Sequence, residues 1–227
     1  MAGDTGCEAG MLRVLLIAPT APGLPPLRWW QEFATLTAIE GAHVDVLAGT
    51  QATIDAVAKA LRRGTDIVIV SGHGAQNQII LADSRRVSGE WLATQARKSP
   101  PECILVGACF SGQRDERYLE SIGEAISQAG IHALVFETDI ADESAAIYSV
   151  EFVRAMVATF DVVRANRVAV TSIAQSDQAL ALGARLVPGV VNGYREFARR
   201  FEAIECQIRT LQAGQETILR ILQPQPS

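Results

Sequence analysis

Apolar positions along this chain follow two alternating rhythms. Short, nearly continuous hydrophobic runs occur at Leu12 to Ala18 (LRVLLIA, ended by Pro19), His43 to Ala48 (HVDVLA), Asp66 to Ser71 (DIVIVS), Cys103 to Ala108 (CILVGA) and His132 to Phe136. Runs of this length and continuity predict strands buried on both faces. Between them the spacing turns helical: Trp30, Phe33, Ala34, Thr37 and Ala38 up to Gly41; Ile54, Val57, Ala58 and Leu61, capped by Thr50 or Thr53 and closed by Arg62, Arg63 and Gly64; Trp91, Leu92 and Ala96 after Ser88; and Tyr118, Ile122, Ala125 and Ile126 before Gly130. Strands alternating with helices of about 12 residues imply an α/β fold with a parallel sheet covered on both faces. Residues 78 to 88 (QIILADSRRVS) break the rhythm and predict a β-hairpin turning at Asp83 and Ser84. Further on, Asp142 is expected to cap a helix bearing Ala145, Ala146, Phe152 and Met156. Another helix is expected over Val162 to Leu182, and a short strand near Arg185 to Val187.

The last segment has a different period. Tyr194, Phe197, Phe201, Ile204, Ile208, Leu211, Ile218 and Leu222 recur at alternating steps of three and four, with Gln215 at an a-type position and charges off the seam. A helix burying a narrow stripe fits this pattern, and it would extend about 40 Å at 1.5 Å per residue. It reads either as a coiled-coil or docking arm, or as a terminal helix folded on its own domain. The expected organisation is a disordered leader over 1–11, an α/β domain over 12–190 and the helix, for oligomerisation or partner docking, over 191–227.

The net charge of −5 and the lack of a dense Lys/Arg cluster argue against a nucleic-acid or membrane surface. No apolar stretch approaches the roughly 20 residues of a spanning helix, and the first ten residues do not resemble a secretory signal. The four cysteines, at 7, 103, 109 and 206, lack paired or metal-like spacing, which suits a reducing cytoplasm and no metal.

Two segments carry candidate chemistry: Ser71-Gly72-His73-Gly74, read as a loop after the third strand, and Gly107-Ala108-Cys109-Phe110-Ser111-Gly112, read as a loop after the fourth. In an open parallel sheet, ligands sit beyond the carboxyl ends of the strands. If these two strands are neighbours, those ends bring His73 and Cys109 together. A cysteine nucleophile needs a base to generate thiolate and an acid to protonate the leaving amine, and one histidine serves both steps. Gly72 and Gly74 are expected to let the backbone turn tightly, and the N–H groups of Gly74 and Cys109 are candidates for an oxyanion hole. Cys103 reads as core, His43 and His132 as structural. A phosphatase loop requires C-x5-R, whereas Arg114 gives C-x4-R. No G-x-S-x-G elbow, Walker loop or G-x-G-x-x-G follows a strand.

A strand ending in SGHG, then a hairpin, a helix and a strand ending in ACFSG, resembles the caspase-like superfamily, and its bacterial CHAT branch in particular. Asp142-Glu143-Ser144-Ala145-Ala146 matches the Asp-x-x-Ala-Ala helix of that branch. The resemblance implies a caspase-like three-layer sandwich with a mostly parallel six-stranded sheet, followed here by the long C-terminal amphipathic helix. It implies peptide hydrolysis by a Cys/His dyad without cofactor, in a regulated effector of bacterial defence or cell death. The alternative is a catalytically silent scaffold that binds a partner through its C-terminal helix. Homo-oligomerisation or a protein regulator is expected through 194–222. Relatives that accept a basic side chain place an acidic residue two positions before the cysteine. This chain has Gly107 there, so an uncharged specificity is expected unless Glu137 and Asp139 restore negative charge to the pocket.

Overall fold

The computed structural model describes residues 11–75, 78–110, 117–136, 141–175 and 183–189, together with Gln212. The described elements form one compact unit, Leu12–Val191. Apart from Gln212, the helix expected over 194–222 lies outside the described residues.

The strands are β1 (Leu12–Pro19), β2 (Ala42–Gly49), β3 (Ile67–Ala75), β4 (Gln78–Ile80), β5 (Arg86–Ser88), β6 (Cys103–Phe110), β7 (His132–Phe136) and β8 (Ala184–Val187). The helices are α1 (Trp29–Thr37), α2 (Ile54–Leu61), α3 (Gly89–Ala96), α4 (Arg117–Gln128), α5 (Asp142–Thr159) and α6 (Val162–Ala174). The main sheet runs in the order β2-β1-β3-β6-β7-β8. Its first five strands are parallel and β8 closes the edge antiparallel to β7. This is the expected six-stranded path. The β4–β5 hairpin, attached antiparallel to the end of β3, brings the sheet to eight strands.

Alternate residues of the buried strands feed two cores. Leu16, Ile67, Ile69, Cys103 and Leu105 pack with α1, α5 and α6 on one face. Ile17, Val68, Val70, Ile104 and Val106 pack with α2, α3, α4 and the hairpin on the other. Continuous apolar runs are the sequence form of this two-sided burial.

Local chemistry fixes the helix starts. Thr53, rather than Thr50, caps α2, and Ser88 caps α3 by accepting from Trp91 N at 3.2 Å. Asp161 caps α6 in the same way, accepting from Arg164 N at 3.0 Å. The expected cap of α5 shifts by one: Ala141 is the cap, and Asp142 with Glu143 occupies the first turn, where the helix dipole favours negative charge. The described part of the following helix ends at Ala174, and residues 176–182 of its expected span lie outside the described residues. Ser84 takes a positive φ of 62° at the expected hairpin turn. No described helix is long and apolar enough to cross a membrane.

Candidate active site

β3 and β6 are adjacent, and they run further than their hydrophobic segments suggest. Eight consecutive Cα pairs join them, from Ile67–Cys103 through Ser71–Gly107 and Gly72–Ala108 to His73–Cys109 and Gly74–Phe110. His73 and Cys109 were expected in loops after the strands, yet both stand within strands. The extension escapes hydrophobic reading because Ser71, Gly72, His73, Gly74 and Gly107 break the apolar run while the strands continue. Sheet register, not loop closure, therefore makes positions 73 and 109 neighbours. His73 shares the parity of Ile67 and Ile69, the set facing α1 and α5.

The two glycines serve a different purpose from the one expected. Gly72 and Gly74 are absent from the positive-φ positions, so neither makes a tight turn. A Cβ at Gly72 would lie 3.3 Å from Pro19 Cγ and 3.5 Å from Ile79 Cγ2, so glycine there permits close packing against β1 and the hairpin. Gly74 pairs with Ile79 of the hairpin on its other side.

His73 donates from Nε2–H to the carbonyl oxygen of Pro25, at 2.7 Å. With the proton on Nε2, the neutral ring presents Nδ1 as its acceptor. Pro25 lies in the proline-rich connection between β1 and α1. Sequence reading missed it because any residue supplies a carbonyl; only its place in space is informative.

On the same face a cleft of about 720 Å³ opens between α1, the strand ends and the start of α5. Ser71 and Gly107 line it, as do Asp142, Glu143, Ala145 and Ala146 of the Asp-x-x-Ala-Ala segment. Glu32 of α1 also lines it and is only 5% exposed. Its carboxylate accepts from Ser71 Oγ at 2.8 Å and from Ser149 Oγ of α5. Burial pushes this carboxyl above its ordinary range, the two serine hydrogen bonds oppose the rise, and Asp142 adds to it.

Glu32 was missed because α1 was read on the wrong stripe. Of the residues whose spacing marks α1, Phe33 packs against the core but Trp30, Ala34, Thr37 and Ala38 are exposed, whereas Glu32 and Leu36 are buried. The hydrophobic pattern has no means of showing a buried carboxylate whose hydroxyl partners lie 39 and 117 residues away.

The raised carboxyl has a consequence for stability. Folded Glu32 keeps its proton to higher pH than the unfolded chain does, so the folded state loses stability as pH rises from 4.5 through the raised value. A Glu32→Gln chain, which cannot ionise there, is expected to gain in Tm over the native chain at pH 8 and to lose that advantage towards pH 4. Thermal denaturation at the two pH values measures the difference.

The remaining candidates separate by environment. Cys103 is a buried free thiol with its ionisation pushed up by desolvation, as suits an unreactive core residue. His132 is buried, and its Nδ1 accepts from Gly189 N at 3.4 Å. His43 pairs with Asp45 at 3.6 Å on the exposed edge strand. Glu137, Asp139, Ser111, Gly112, Cys7 and Cys206 lie outside the described residues. Among the described residues, no group of three His, Cys, Asp or Glu is placed to hold a metal ion.

A family model for the CHAT domain matches residues 25–203, a span that takes in Pro25, Glu32, both strand ends and α5. The chain belongs to the CHAT domain family. The fold of this CHAT domain also matches the crystal structure of the Arg-specific cysteine proteinase gingipain R, with a TM-score of 0.51 and 16% sequence identity. That match covers 77% of the CHAT chain and 44% of the gingipain chain, so the likeness concerns the fold and less than half of the larger protein. A comparison with curated proteins found no match. The caspase-like α/β fold expected from the SGHG and ACFSG segments is the fold observed.

Proposed function

We propose that this CHAT domain is a cysteine endopeptidase, with Cys109 as nucleophile and His73 as its proton shuttle. The pairing of positions 73 and 109 at the carboxyl ends of adjacent parallel strands carries this reading. In the reaction, His73 Nδ1 takes the thiol proton and the Cys109 thiolate attacks the peptide carbonyl carbon. The tetrahedral intermediate collapses, the C–N bond breaks, and the imidazolium returns its proton to the leaving amine. Water then hydrolyses the thioester by the same shuttle in reverse. The Pro25 carbonyl supports this role, because it holds the ring through Nε2–H and is well placed to stabilise the imidazolium.

Gly74 and Cys109 N–H groups are proposed to receive the oxyanion. The β6–β7 ladder ends at Leu105–Leu134, which leaves that edge of β6 beyond the ladder as it approaches position 109. Such donors typically contribute about 3 to 4 kcal/mol each to a transition state. The family resemblance extends the proposal to a protein substrate, a cytoplasmic setting and a regulated effector role in bacterial defence or cell death, with 194–222 as the oligomerisation or regulator-docking segment.

A peptide acyloxymethyl ketone tests the nucleophile. Intact-mass analysis and peptide mapping are expected to find one label, on Cys109, in the native chain and none in Cys109→Ser, with Cys103 unmodified. Labelling no faster than that of a free thiol would refute an activated cysteine.

A further inference from the structure

We propose that Glu32 determines the specificity of this cleft, and that the cleft takes the Arg or Lys side chain preceding the scissile bond. The substrate class rests on the peptidase reading above; the cation site itself rests on the geometry of α1, β3, β6 and α5.

Ser71 and Gly107 are Cα partners two positions behind His73 and Cys109 on the same two strands. At about 3.3 Å of rise per residue, the base of the cleft therefore lies some 7 Å back along the sheet from the dyad positions. A substrate backbone seated at position 109 would direct its preceding side chain down this distance, which suits a long stem with a polar head. Gly107 leaves that path open. A Cβ there would meet only ordinary contacts, Leu105 Cδ2 and Val70 O at 3.7 Å and Ala145 Cβ at 3.8 Å. The strand does not demand glycine, and the space its missing side chain leaves is part of the cleft.

At this depth the cleft presents a carboxylate. Glu32 accepts two serine hydrogen bonds, which use about half of the roughly four lone-pair positions of a carboxylate and fix its orientation. Among the described residues no Lys, Arg or His lies within ion-pair distance of it. A buried carboxylate without a cation is costly, and its displaced ionisation records that cost. An arriving guanidinium supplies two donors in a planar fork, and an ammonium supplies a point charge.

The surroundings favour the same sign. Glu32, Asp142, Glu143 and Glu151 line the cleft against Arg28 and Arg154, and Arg154 already bonds Glu151. Under this proposal the cleft prefers a cation, in place of the uncharged specificity expected from Gly107, and a different element supplies the charge.

The rival explanation is that Glu32 only ties α1 to β3 and α5. The two separate in a binding experiment that does not need turnover. In a Cys109→Ala chain, calorimetry would compare peptide amides ending in Arg with the same peptides ending in norleucine, a neutral residue of similar length. The Arg peptide is expected to bind at least 100-fold more tightly. Glu32→Gln should bring the ratio close to one, and adding Gly107→Asp to that variant should restore it to at least tenfold. Glu32→Asp, which keeps the charge, should hold the ratio above ten and decides the matter if the Gln chain does not fold. A native ratio near one, failure of both peptides to bind, or equal weakening of both by Glu32→Gln would overturn the proposal. Glu32-dependent binding in a native chain that cleaves neither peptide would retain the cation site and overturn the peptidase reading. Cleavage that favours norleucine would do the reverse.

Discussion

Replacing Cys109 with Ala is expected to lower kcat for peptide cleavage by about 10³- to 10⁶-fold, because the covalent route then has no nucleophile. His73→Ala should cost about 10²- to 10⁴-fold, the usual worth of a positioned acid-base group. The informative quantity is their combination. If the two side chains act as one unit, the double variant will be no slower than Cys109→Ala alone. If they act independently, the losses will multiply. Register pairing of positions 73 and 109 favours the first outcome. Single-turnover kinetics on one peptide, with matched Tm values for the four chains, provide the measurement. Native-like cleavage by Cys109→Ala would remove the peptidase assignment altogether.

The largest expected effect on stability lies at Phe152. It is fully buried on α5 and stacks on Tyr148, with ring centroids 6.4 Å apart; Tyr148 in turn meets Phe136 of β7 edge to face at 5.0 Å. Tyr148 also donates its hydroxyl to Asn166 Oδ1 of α6, at 2.5 Å. Phe152→Ala removes the ring on which Tyr148 stacks, at the α5 end of this aromatic row, and leaves a cavity that rigid strands fill poorly. The expected cost is about 3–5 kcal/mol. Against a total of about 5–15 kcal/mol for a domain, that is enough to leave a measurable fraction unfolded. Urea denaturation should show a lower midpoint with little change in slope. Because α5 also carries Asp142, Ala145 and Ala146 on the cleft, any residual folded chain is expected to bind substrate less well.

Much of this architecture was legible because burial on two faces writes itself as uninterrupted apolar runs. β7 matched its expected bounds from His132 to Phe136, and the hairpin was legible from Asp83-Ser84 between the apolar run Ile79 to Ala82 and Val87. Position 73 was paired with 109 by reasoning about strand neighbours, and the register agrees. What escaped was carried by groups without a pattern of their own. The Pro25 carbonyl has no side-chain signature. Glu32 looks, in sequence, like any solvated helix residue, and only Ser71 and Ser149 give it a reason to be inside. The continuation of β3 and β6 through glycines was invisible for the same reason, since ladder pairing is a property of two chain segments together.

The β1–α1 connection and the first turn of α1 together touch the candidate site twice, through the Pro25 carbonyl on His73 and through Glu32 at the base of the cleft. These contacts lie seven residues apart on one short excursion of chain. Rigid displacement of that excursion would release the histidine ring and withdraw the carboxylate in a single movement, so the orientation of His73 and the charge at the base of the cleft are mechanically one variable.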